Sequence, residues 1–476
     1  MMKGALEDIS KAVGNTPIVL LHKVTGGLPV EIYCKCEFLN PGGSHKDRLA
    51  FNLLKRAEEG GLPAGGTIVE ATSGNTGASL ALLAALRGYK CVFVMPDKMS
   101  QEKIAHLRAF GARVIVCPTA VEADDPRSYY QTALRVARET PNCFYANQYH
   151  NPANPEAHYL SSGPEIWQQT GGEFDVFMAG MGTGGTLSGA GKFLREKMPA
   201  LKIVGVDPVG SLYYDFVKQG RITKSFSYKV EGIGEDFFPT TMDLKILDDI
   251  VRVDDKECFL MTRDLTRLEG LFVGGSGGAA VAGAVKFART LVERGEAQVS
   301  GRPARILVFL ADGGHKYLSK IFNDEWMREN GFLEESPGIG VVADILQGKR
   351  AIVSARPDAR LREVIDQMKT LNISQLPVVD RGQMRGIVAE VDLLRALVSG
   401  GKTLESPIAE VVEDDYATVT PNTKIELLQG VLADAKVAIV EDGGEIVGIV
   451  TKIDLIDFLA RHGAKASVAP PAPPAA

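Results

Sequence analysis

Short runs of β-branched and apolar residues alternate with longer amphipathic stretches between residues 67 and 322. The predicted strands are residues 67–70, 91–95, 113–116, 176–179, 202–207 and 306–310. The predicted helices among them include residues 78–87, 101–110 and 125–139. Strands that alternate with helices in this way are typical of βαβ units and a mostly parallel sheet. The pattern therefore predicts an α/β unit over residues 1–330.

The second part of the chain contains an internal repeat. Residues 342–397 resemble residues 408–459, and EVDLL at 390–394 aligns with KIDLI at 452–456. In both copies this segment opens an amphipathic helix after a strand, and two copies predict a paired module rather than a long array. The predicted divisions are a linker at 331–341, a first repeat at 342–400, a second repeat at 401–463 and a disordered Pro- and Ala-rich tail at 464–476.

Composition excludes several classes of protein. The chain has 53 Lys and Arg against 59 Asp and Glu, so it lacks the basic surface that nucleic acid requires. The N-terminal residues contain no apolar signal core, and charges interrupt every long apolar run, so we expect a cytoplasmic protein without a membrane span. Six cysteines without a CxxC pair or a Cys/His cluster predict reduced thiols and no metal site.

Lys46 stands at a predicted helix start, where residues 37–48 pass from an apolar strand through a Gly-rich turn. Partial burial and the positive end of a helix both disfavour an ammonium ion. Lys46 is therefore a candidate neutral amine that could form a Schiff base, and the alternative is a solvated lysine at a helix start.

A polar turn at residues 70–77 connects a predicted strand to a helix. The hydroxyls of Thr72, Ser73 and Thr76, together with successive backbone N–H groups, favour the binding of a carboxylate. A simple N-cap made by Ser73 or Asn75 would explain the same residues.

A glycine-rich loop at residues 179–189 follows the strand at 176–179. Its glycines allow backbone amides to close on a phosphate, and Thr183 and Thr186 add hydroxyl donors. The loop also satisfies G-x-G-x-x-G, with Asp207 where a dinucleotide-binding fold has its ribose-binding acid. That alternative leaves the two preceding segments without a role.

A fourth segment, residues 270–279, consists largely of tiny residues that allow close approach to a flat ligand. Ser276 is its only polar side chain, so its hydroxyl could face a ring nitrogen. A flexible turn capped by serine is the alternative.

Together and in this order, the four segments resemble the fold-type II pyridoxal-phosphate enzymes of the cysteine synthase and cystathionine β-synthase family. The resemblance covers residues 1–330 and implies a two-lobed fold like that of the tryptophan synthase β-subunit. It implies that Lys46 holds the aldehyde of pyridoxal 5'-phosphate (PLP), that Asn75 binds the ring 3-oxygen and that Ser276 meets the pyridine nitrogen. The phosphate-binding residues it implies are Gly182, Thr183, Gly184, Gly185 and Thr186.

The resemblance also implies how the substrate is bound and converted. The implied substrate-binding residues are Thr72, Ser73, Gly74, Asn75, Thr76, Gln148 and Tyr149. A neutral serine at the pyridine nitrogen leaves that nitrogen largely unprotonated, which favours β-elimination over transamination. Lys46 would take the α-proton, and a thiolate would add to an aminoacrylate intermediate.

Four further segments, at residues 147–149, 231–234, 312–314 and 323–327, look closer to the cystathionine β-synthases. The implied reaction is transsulfuration, in which L-serine and L-homocysteine give L-cystathionine. Two residues depart from the family pattern: Glu235 stands where the animal and yeast enzymes have Tyr, and His45 stands where Val is usual. The chain begins almost at the catalytic unit, so we expect no haem. A homodimer or homotetramer is expected from the family alone.

The paired repeats resemble the Bateman module of these synthases. Thr451 and Asp454 fit the Thr-x-x-Asp pattern that binds adenosyl ligands, and Gln375 is a further candidate. The first repeat has Ala389 in place of the threonine, although Asp392 remains, so one site is expected rather than two. The resemblance implies S-adenosylmethionine as an allosteric ligand; adenine nucleotides, a helix cap made by Asp454 and a purely dimerising role are the alternatives.

Two alternative functions remain at this point. The same cofactor chemistry would serve an O-acetylserine sulfhydrylase, that is a cysteine synthase, or a serine dehydratase. A protein of another class, a non-catalytic sensor of adenine nucleotides, would use the glycine-rich loop and the repeats to bind adenine ligands.

Overall fold

The computed structural model of the chain describes residues 2–122, 124–334, 339–347 and 352–466. It divides into two compact units, Met1–Glu334 and Glu335–Ala476. None of the helices within the described ranges combines the length and the apolar character needed to cross a membrane.

The first unit is built from alternating strands and helices. Its strands are β1 (Ile18–Leu20), β2 (Val30–Cys36), β3 (Thr67–Ala71), β4 (Lys90–Pro96), β5 (Arg113–Cys117), β6 (Cys143–Tyr145), β7 (Val176–Gly180), β8 (Lys202–Pro208), β9 (Asp249–Val253), β10 (Gln298–Val299) and β11 (Arg302–Leu310). Its helices are α1 (Lys46–Glu59), α2 (Asn75–Arg87), α3 (Gln101–Ala109), α4 (Tyr129–Glu139), α5 (Ala153–Leu160), α6 (Ser162–Thr170), α7 (Gly185–Lys197), α8 (Tyr213–Gln219), α9 (Asp255–Glu269), α10 (Gly275–Glu293) and α11 (Asp324–Glu329).

These strands form two sheets, which confirms the expected α/β fold with two lobes. The smaller sheet is parallel throughout, in the order β5-β4-β3-β6. The larger has the order β1-β2-β11-β7-β8-β9, and it is parallel except where β1 pairs with β2 and β10 pairs with β11. Sites in such sheets lie at the carboxyl ends of the strands, so the loops after β3, β7 and β11 are the places to search.

Both faces of the larger sheet are covered, as β7 illustrates. Val176 and Met178 belong to the hydrophobic cluster on one face, and Phe177 and Ala179 belong to the cluster on the other. Successive side chains of a strand point to opposite faces, so a strand buried on both sides is apolar throughout. This explains why the sequence shows short continuous apolar runs rather than strict alternation.

Two predicted helix starts are wrong. The helix expected at residues 78–87 begins at Asn75. The helix expected at residues 125–139 begins at Tyr129, because the preceding residues form a turn. Asp125 Oδ1 accepts a hydrogen bond from the backbone N–H of Arg127 at 2.8 Å. The Ser128 hydroxyl then caps the helix by accepting from the backbone N–H of Gln131.

The second unit contains the two repeats. Its elements are α12 (Val342–Leu346), α13 (Leu361–Leu371), β12 (Gln375–Asp380), β13 (Gln383–Ala389), α14 (Glu390–Val398), β14 (Tyr416–Val419), α15 (Ile425–Asp434), β15 (Val437–Asp442), β16 (Glu445–Thr451) and α16 (Lys452–Ala466). The β12–β13 and β15–β16 pairs are both antiparallel hairpins. In the first repeat Ala355 makes a parallel bridge to Val378, and in the second β14 pairs in parallel with β15.

The opening segments of the repeats are exchanged. Val342 and Ile345 of α12 are buried in the core of the second repeat, which contains Leu428 and Val450. Ile408, which opens the second repeat in the sequence, is buried in the core of the first. The repeat boundaries in the sequence therefore do not coincide with the boundaries of the packed cores.

The predicted linker and tail are only partly described. Residues 335–338 of the linker and residues 467–476 of the tail lie outside the described residues. Helix α16 continues to Ala466, so residues 464–466 are helical rather than part of a disordered tail.

Candidate active site

Lys46 is the first residue of α1, and its side chain borders a cavity of about 550 Å³. Ser276 borders the same cavity. Lys46 Nζ lies 3.5 Å from Thr183 Oγ1. Burial lowers the pKa of the Lys46 ammonium to about 8, against the opposing effect of the negative charges on Glu235 and Glu70. A substantial neutral fraction near physiological pH makes this amine a competent nucleophile.

The loop from Gly182 to Thr186 connects β7 to α7, and its close packing requires glycine. Gly184 has a φ of +80°, which is the left-handed region. A Cβ on Gly184 would collide with Met242, and one on Gly185 would collide with the Asn154 side chain. The loop therefore places backbone amides at the start of α7, where an anion is favoured.

Two hydroxyls of this loop are held by neighbouring polar groups. Asn154 Nδ2 donates to Thr183 Oγ1 at 2.9 Å, and Thr186 Oγ1 lies 3.4 Å from His158 Nε2. The ring of His45 lies 5.6 Å from that of His158. Burial lowers the pKa of both histidines well below the usual range, so both imidazoles are neutral. The loop hydroxyls are thus oriented by uncharged groups.

Asn75 and Ser276, the two residues assigned to the cofactor ring, are linked through Asp312. Asn75 Nδ2 donates to Asp312 Oδ2 at 2.8 Å, and Ser276 Oγ lies 3.5 Å from Asp312 Oδ1. Lys316 Nζ donates to Asn75 Oδ1 at 2.8 Å, and Tyr317 donates its hydroxyl to Asp312 at 2.7 Å. All of these side chains are buried. They fix the orientation of the Asn75 amide.

The polar turn after β3 is held by its own side chains. Thr72 Oγ1 accepts hydrogen bonds from the backbone N–H groups of Gly74 and Gly77, at 3.0 and 3.3 Å. Thr76 donates its hydroxyl to Gln148 Oε1 at 2.7 Å. Thr72 and Gln148 therefore shape the turn in addition to any contact with a ligand.

The residues of the turn differ in how they face the cavity. Ser73, Asn75, Thr76, Gln148 and Tyr149 border it, whereas Thr72 is fully buried against the amides of its turn. Tyr149 packs edge-to-face on Tyr130, and its hydroxyl lies 3.2 Å from that of Tyr129. The predicted substrate-binding segments thus meet at one cavity.

Three buried charged residues that contact Asn75 or Gln148 had no role in the sequence interpretation. Asp312 and Lys316 follow β11, and Glu70 is the penultimate residue of β3, so the topology of the sheets could have directed attention to them. Burial raises the pKa of Glu70 to about 8, although the backbone N–H of Gln148 donates to its Oε1 at 3.2 Å. Burial also lowers the pKa of the Lys316 ammonium to about 8. Nothing in the local sequence predicts their burial.

Asp207, the acid of the dinucleotide alternative, is fully buried. Its Oδ2 accepts from the backbone N–H of Tyr214 at 2.9 Å, and burial raises its pKa to about 7. It therefore holds the start of α8, and it is not among the residues that border the Lys46 cavity. A ribose-binding role has no support in this geometry.

The predicted regulatory residues lie in the second unit. Asp454 Oδ2 accepts from the backbone N–H of Thr451 at 2.7 Å and from its hydroxyl at 2.6 Å. Asp392 accepts from the backbone N–H of Ala389 at 3.0 Å in the equivalent position of the first repeat. Gln375 starts β12, where it pairs with Ala389. Both aspartates thus cap helices, and only Asp454 has a threonine partner.

Two family models match the chain. The model "Pyridoxal-phosphate dependent enzyme" matches residues 9–311, and the model "CBS domain" matches residues 342–399 and 408–461. The first match contains the Lys46 cavity, and the other two coincide closely with the repeats.

The chain is also similar to complete proteins. It is 37% identical to a cystathionine beta-synthase of Oryctolagus cuniculus, over 96% of this chain and 86% of that one. It is 38% identical to a cysteine synthase of Staphylococcus aureus, over 67% of this chain and 97% of that one. The crystal structure of an O-acetylserine dependent cystathionine beta-synthase from Helicobacter pylori is 35% identical, with a TM-score of 0.59, over 66% of this chain and 98% of that one.

Proposed function

Because the chain belongs to the cystathionine β-synthase family of pyridoxal-phosphate-dependent enzymes, we propose that it condenses L-serine with L-homocysteine to L-cystathionine. Family membership establishes a PLP-dependent β-replacement enzyme that acts on small molecules. The observation that supports the finer proposal is the extent of the similarity. It covers the catalytic unit and both repeats of complete cystathionine beta-synthases, 96% of this chain for the rabbit protein.

The residues around Lys46 fit PLP. The recess at the start of α7 is bordered by Lys46, the loop from Gly182 to Thr186 and Ser276. Any side chain at Gly184 or Gly185 would fill space that the neighbouring residues already occupy, so the loop can offer only backbone amides and hydroxyls there. Such donors suit a phosphate. When bound, PLP supplies an electron sink for the charge left at the substrate α-carbon.

Lys46 is the residue that we propose moves the proton. Desolvation lowers the pKa of the Lys46 ammonium to about 8, so part of the amine is neutral. The neutral amine can accept the α-proton of the donor amino acid and return it later. Glu70 and Glu235 are the acidic groups whose charges act on it.

The turn after β3 is the proposed carboxylate site. Ser73 and Thr76 border the cavity beside the start of α2, and the backbone N–H groups there favour a negative charge. Asn75 and Ser276 would face the ring 3-oxygen and the pyridine nitrogen. The Asp312 bridge keeps these two side chains at a fixed separation, so the ring can bind without reorganising them.

A second candidate activity uses O-acetylserine in place of serine, or sulfide in place of homocysteine. The similar Helicobacter pylori protein is described as O-acetylserine dependent, and the similar Staphylococcus aureus protein as a cysteine synthase. These relatives support alternative donors and acceptors on the same catalytic unit.

The experiment compares four substrate pairs on the purified holoenzyme. Serine or O-acetylserine is combined with homocysteine or sulfide, and the products are identified by mass spectrometry. The proposal expects L-cystathionine from serine and homocysteine at the highest kcat/KM. Turnover with sulfide alone would contradict it.

For the second unit we propose one adenosyl site, with S-adenosylmethionine as the ligand. The Thr451–Asp454 pair supports this site, because a carboxylate can accept from ribose hydroxyls when its cap is exchanged for the ligand. We also propose a homodimer or homotetramer. The absence of haem stays a prediction.

A further inference from the structure

The wall of the Lys46 cavity includes Glu235 and Lys98 among its charged residues. The donor amino acid's carboxylate has its own proposed site at Ser73 and Thr76. Glu235 and Lys98 therefore need a different explanation. Because both residues border the same cavity, they are candidates to bind the second substrate, the thiol acceptor.

Glu235 is held firmly at the cavity wall. The backbone N–H of the preceding residue, Gly234, donates to the Met181 carbonyl at 2.6 Å, and the Glu235 N–H donates to Ser211 Oγ at 3.1 Å. Gly234 has a φ of +78°, and a Cβ there would collide with Pro208. The loop that carries Glu235 is thus fixed against the glycine-rich loop.

The Glu235 carboxyl group is partly buried and faces the cavity without a protein partner among the described residues. Within the described part of the chain its oxygens make no hydrogen bond and no ion pair. Burial raises its pKa to about 8, with a further rise from Asp236 and opposing effects from Lys46 and Lys98. An ammonium group bound beside Glu235 would favour the ionised form of its carboxyl group and give it an ion-pair partner.

Lys98 has a complementary position. Its side chain is exposed, its ammonium lies 5.5 Å from the centre of the Tyr228 ring, and it enters no ion pair among the described residues. Its backbone is anchored, because Lys320 Nζ donates to the Lys98 carbonyl at 2.7 Å. An anchored cation at the cavity mouth is suited to a carboxylate.

We propose that Glu235 and Lys98 bind the zwitterionic end of an amino-acid thiol, with Glu235 on its α-ammonium and Lys98 on its α-carboxylate. This inference rests on the proposed function and deepens it. Sulfide carries neither group, so the pair would select an amino-acid acceptor over sulfide. Glu235 is then a specificity residue, in addition to the effect of its charge on the pKa of Lys46.

The experiment uses acceptors that lack one charged group. Homocysteine, 4-mercaptobutyrate without the amine, 3-aminopropane-1-thiol without the carboxylate, and sulfide are compared on the holoenzyme at saturating serine. Because Glu235→Gln also removes a charge that acts on Lys46, kcat/KM for each acceptor is compared with the value for sulfide in the same variant. Relative to sulfide, we expect the values for homocysteine and 3-aminopropane-1-thiol to fall about tenfold or more, and the value for 4-mercaptobutyrate to change less than about twofold. Lys98→Gln should lower only the values for the two carboxylate-bearing acceptors, by about two- to fivefold because it is exposed.

Glu122→Gln is the matched control, since Glu122 is an exposed acid on the same cavity and has no assigned role. It should leave the preference among acceptors unchanged. Calorimetric titration of the holoenzyme with L-cystathionine gives a readout without turnover, and Glu235→Gln should weaken that binding.

Equal loss with all four acceptors in Glu235→Gln would overturn the inference while leaving the proposed function intact, because it would indicate a general role in the chemistry. A wild-type protein that uses sulfide but no amino-acid thiol would overturn both. If the wild-type protein makes cystathionine and Glu235→Gln leaves the preference among acceptors unchanged, the inference alone is overturned.

Discussion

Asp312 accepts a hydrogen bond from the side-chain amide of Asn75 across 2.8 Å. Lys316 Nζ donates a hydrogen bond to the oxygen of the same amide, so the Asn75 side chain cannot rotate without losing two buried hydrogen bonds. The amide group therefore presents its remaining N–H in one direction. This relationship makes a residue after β11 responsible for the orientation of a residue at the start of α2.

Replacing Asp312 should reduce cofactor binding. In Asp312→Ala the amide of Asn75 loses its acceptor and Lys316 loses a nearby negative charge, so we expect the affinity for PLP to fall about tenfold or more. Equilibrium dialysis of PLP against the cofactor-free protein measures this. Tyr317→Phe removes another donor to Asp312 but leaves Asn75 in place, and it should have a smaller effect. Equal effects in the two variants would contradict a specific role for the Asn75 contact.

The lowered pKa of Lys46 predicts a pH dependence. Its ammonium loses its proton near pH 8 instead of near 10.5, so the reactive neutral amine accumulates as the pH rises through about 8 and then reaches a plateau. The rate at which the cofactor-free protein takes up PLP covalently should follow this curve, measured by stopped-flow absorbance. A midpoint near 10 would contradict the burial argument. Lys46→Ala should show no covalent uptake that borohydride can trap.

Gly184 should be intolerant of alanine for local reasons. Its φ of +80° and the clash of a Cβ with Met242 both disfavour Gly184→Ala, so this variant should lose PLP affinity. Gly220 offers a matched control, because it has a φ of +65° but an open surrounding. Gly220→Ala should cost about 1 kcal/mol of stability and leave PLP binding unchanged. Similar PLP affinities in the two variants would show that the loop can adapt.

The surroundings of Glu165 predict that the folded protein loses stability in acid. Burial alone would raise its pKa, but the hydrogen bonds and charges of Arg48 and Lys35 lower it to about 2 in the folded protein. A depressed carboxylate pKa contributes stability above about pH 4.5, and this stability is lost as the pH falls towards 2. Chemical unfolding between pH 5 and 3 should show a loss of about 2 kcal/mol in the free energy of unfolding. Glu165→Gln should be less stable at neutral pH, and its free energy of unfolding should depend less on pH between 5 and 3. An unchanged pH dependence in this variant would contradict the assignment.

The single adenosyl site proposed for the second unit is testable with paired variants. Asp454→Asn should abolish calorimetric binding of S-adenosylmethionine to the full chain, whereas Asp392→Asn should retain it. Both residues cap a helix, so their effects on stability should be comparable, which separates a loss of ligand binding from a loss of fold. Binding that survives in Asp454→Asn would contradict the assignment.

Sequence reasoning predicted the α/β fold because its signal is local. Strand periodicity and turn chemistry are properties of neighbouring residues, so the runs that form β3, β4 and β5 could be identified in advance. The start of α4 was missed because Asp125 and Ser128 compete with the helix for backbone hydrogen bonds. Such competition depends on side-chain geometry that apolar spacing does not reveal.

The candidate site was predicted in part. Lys46, the glycine-rich loop and Ser276 are distant in sequence, and their meeting at one cavity was expected from the resemblance rather than from any spacing. Asp312 and Lys316 received no role because buried charged residues have no periodic pattern. Their function depends on partners far away along the chain, which only the fold brings within reach.

The exchange of opening segments in the second unit has a consequence for synthesis on the ribosome. The core around Leu428 needs Val342, which emerges early, while the core around Val364 needs Ile408, which emerges much later. The core around Val364 can close once Ile408 has been translated, whereas the core around Leu428 must wait for the rest of the second repeat. A fragment that ends before Ile408 would lack part of the first core, and a fragment that begins there would lack Val342 of the second.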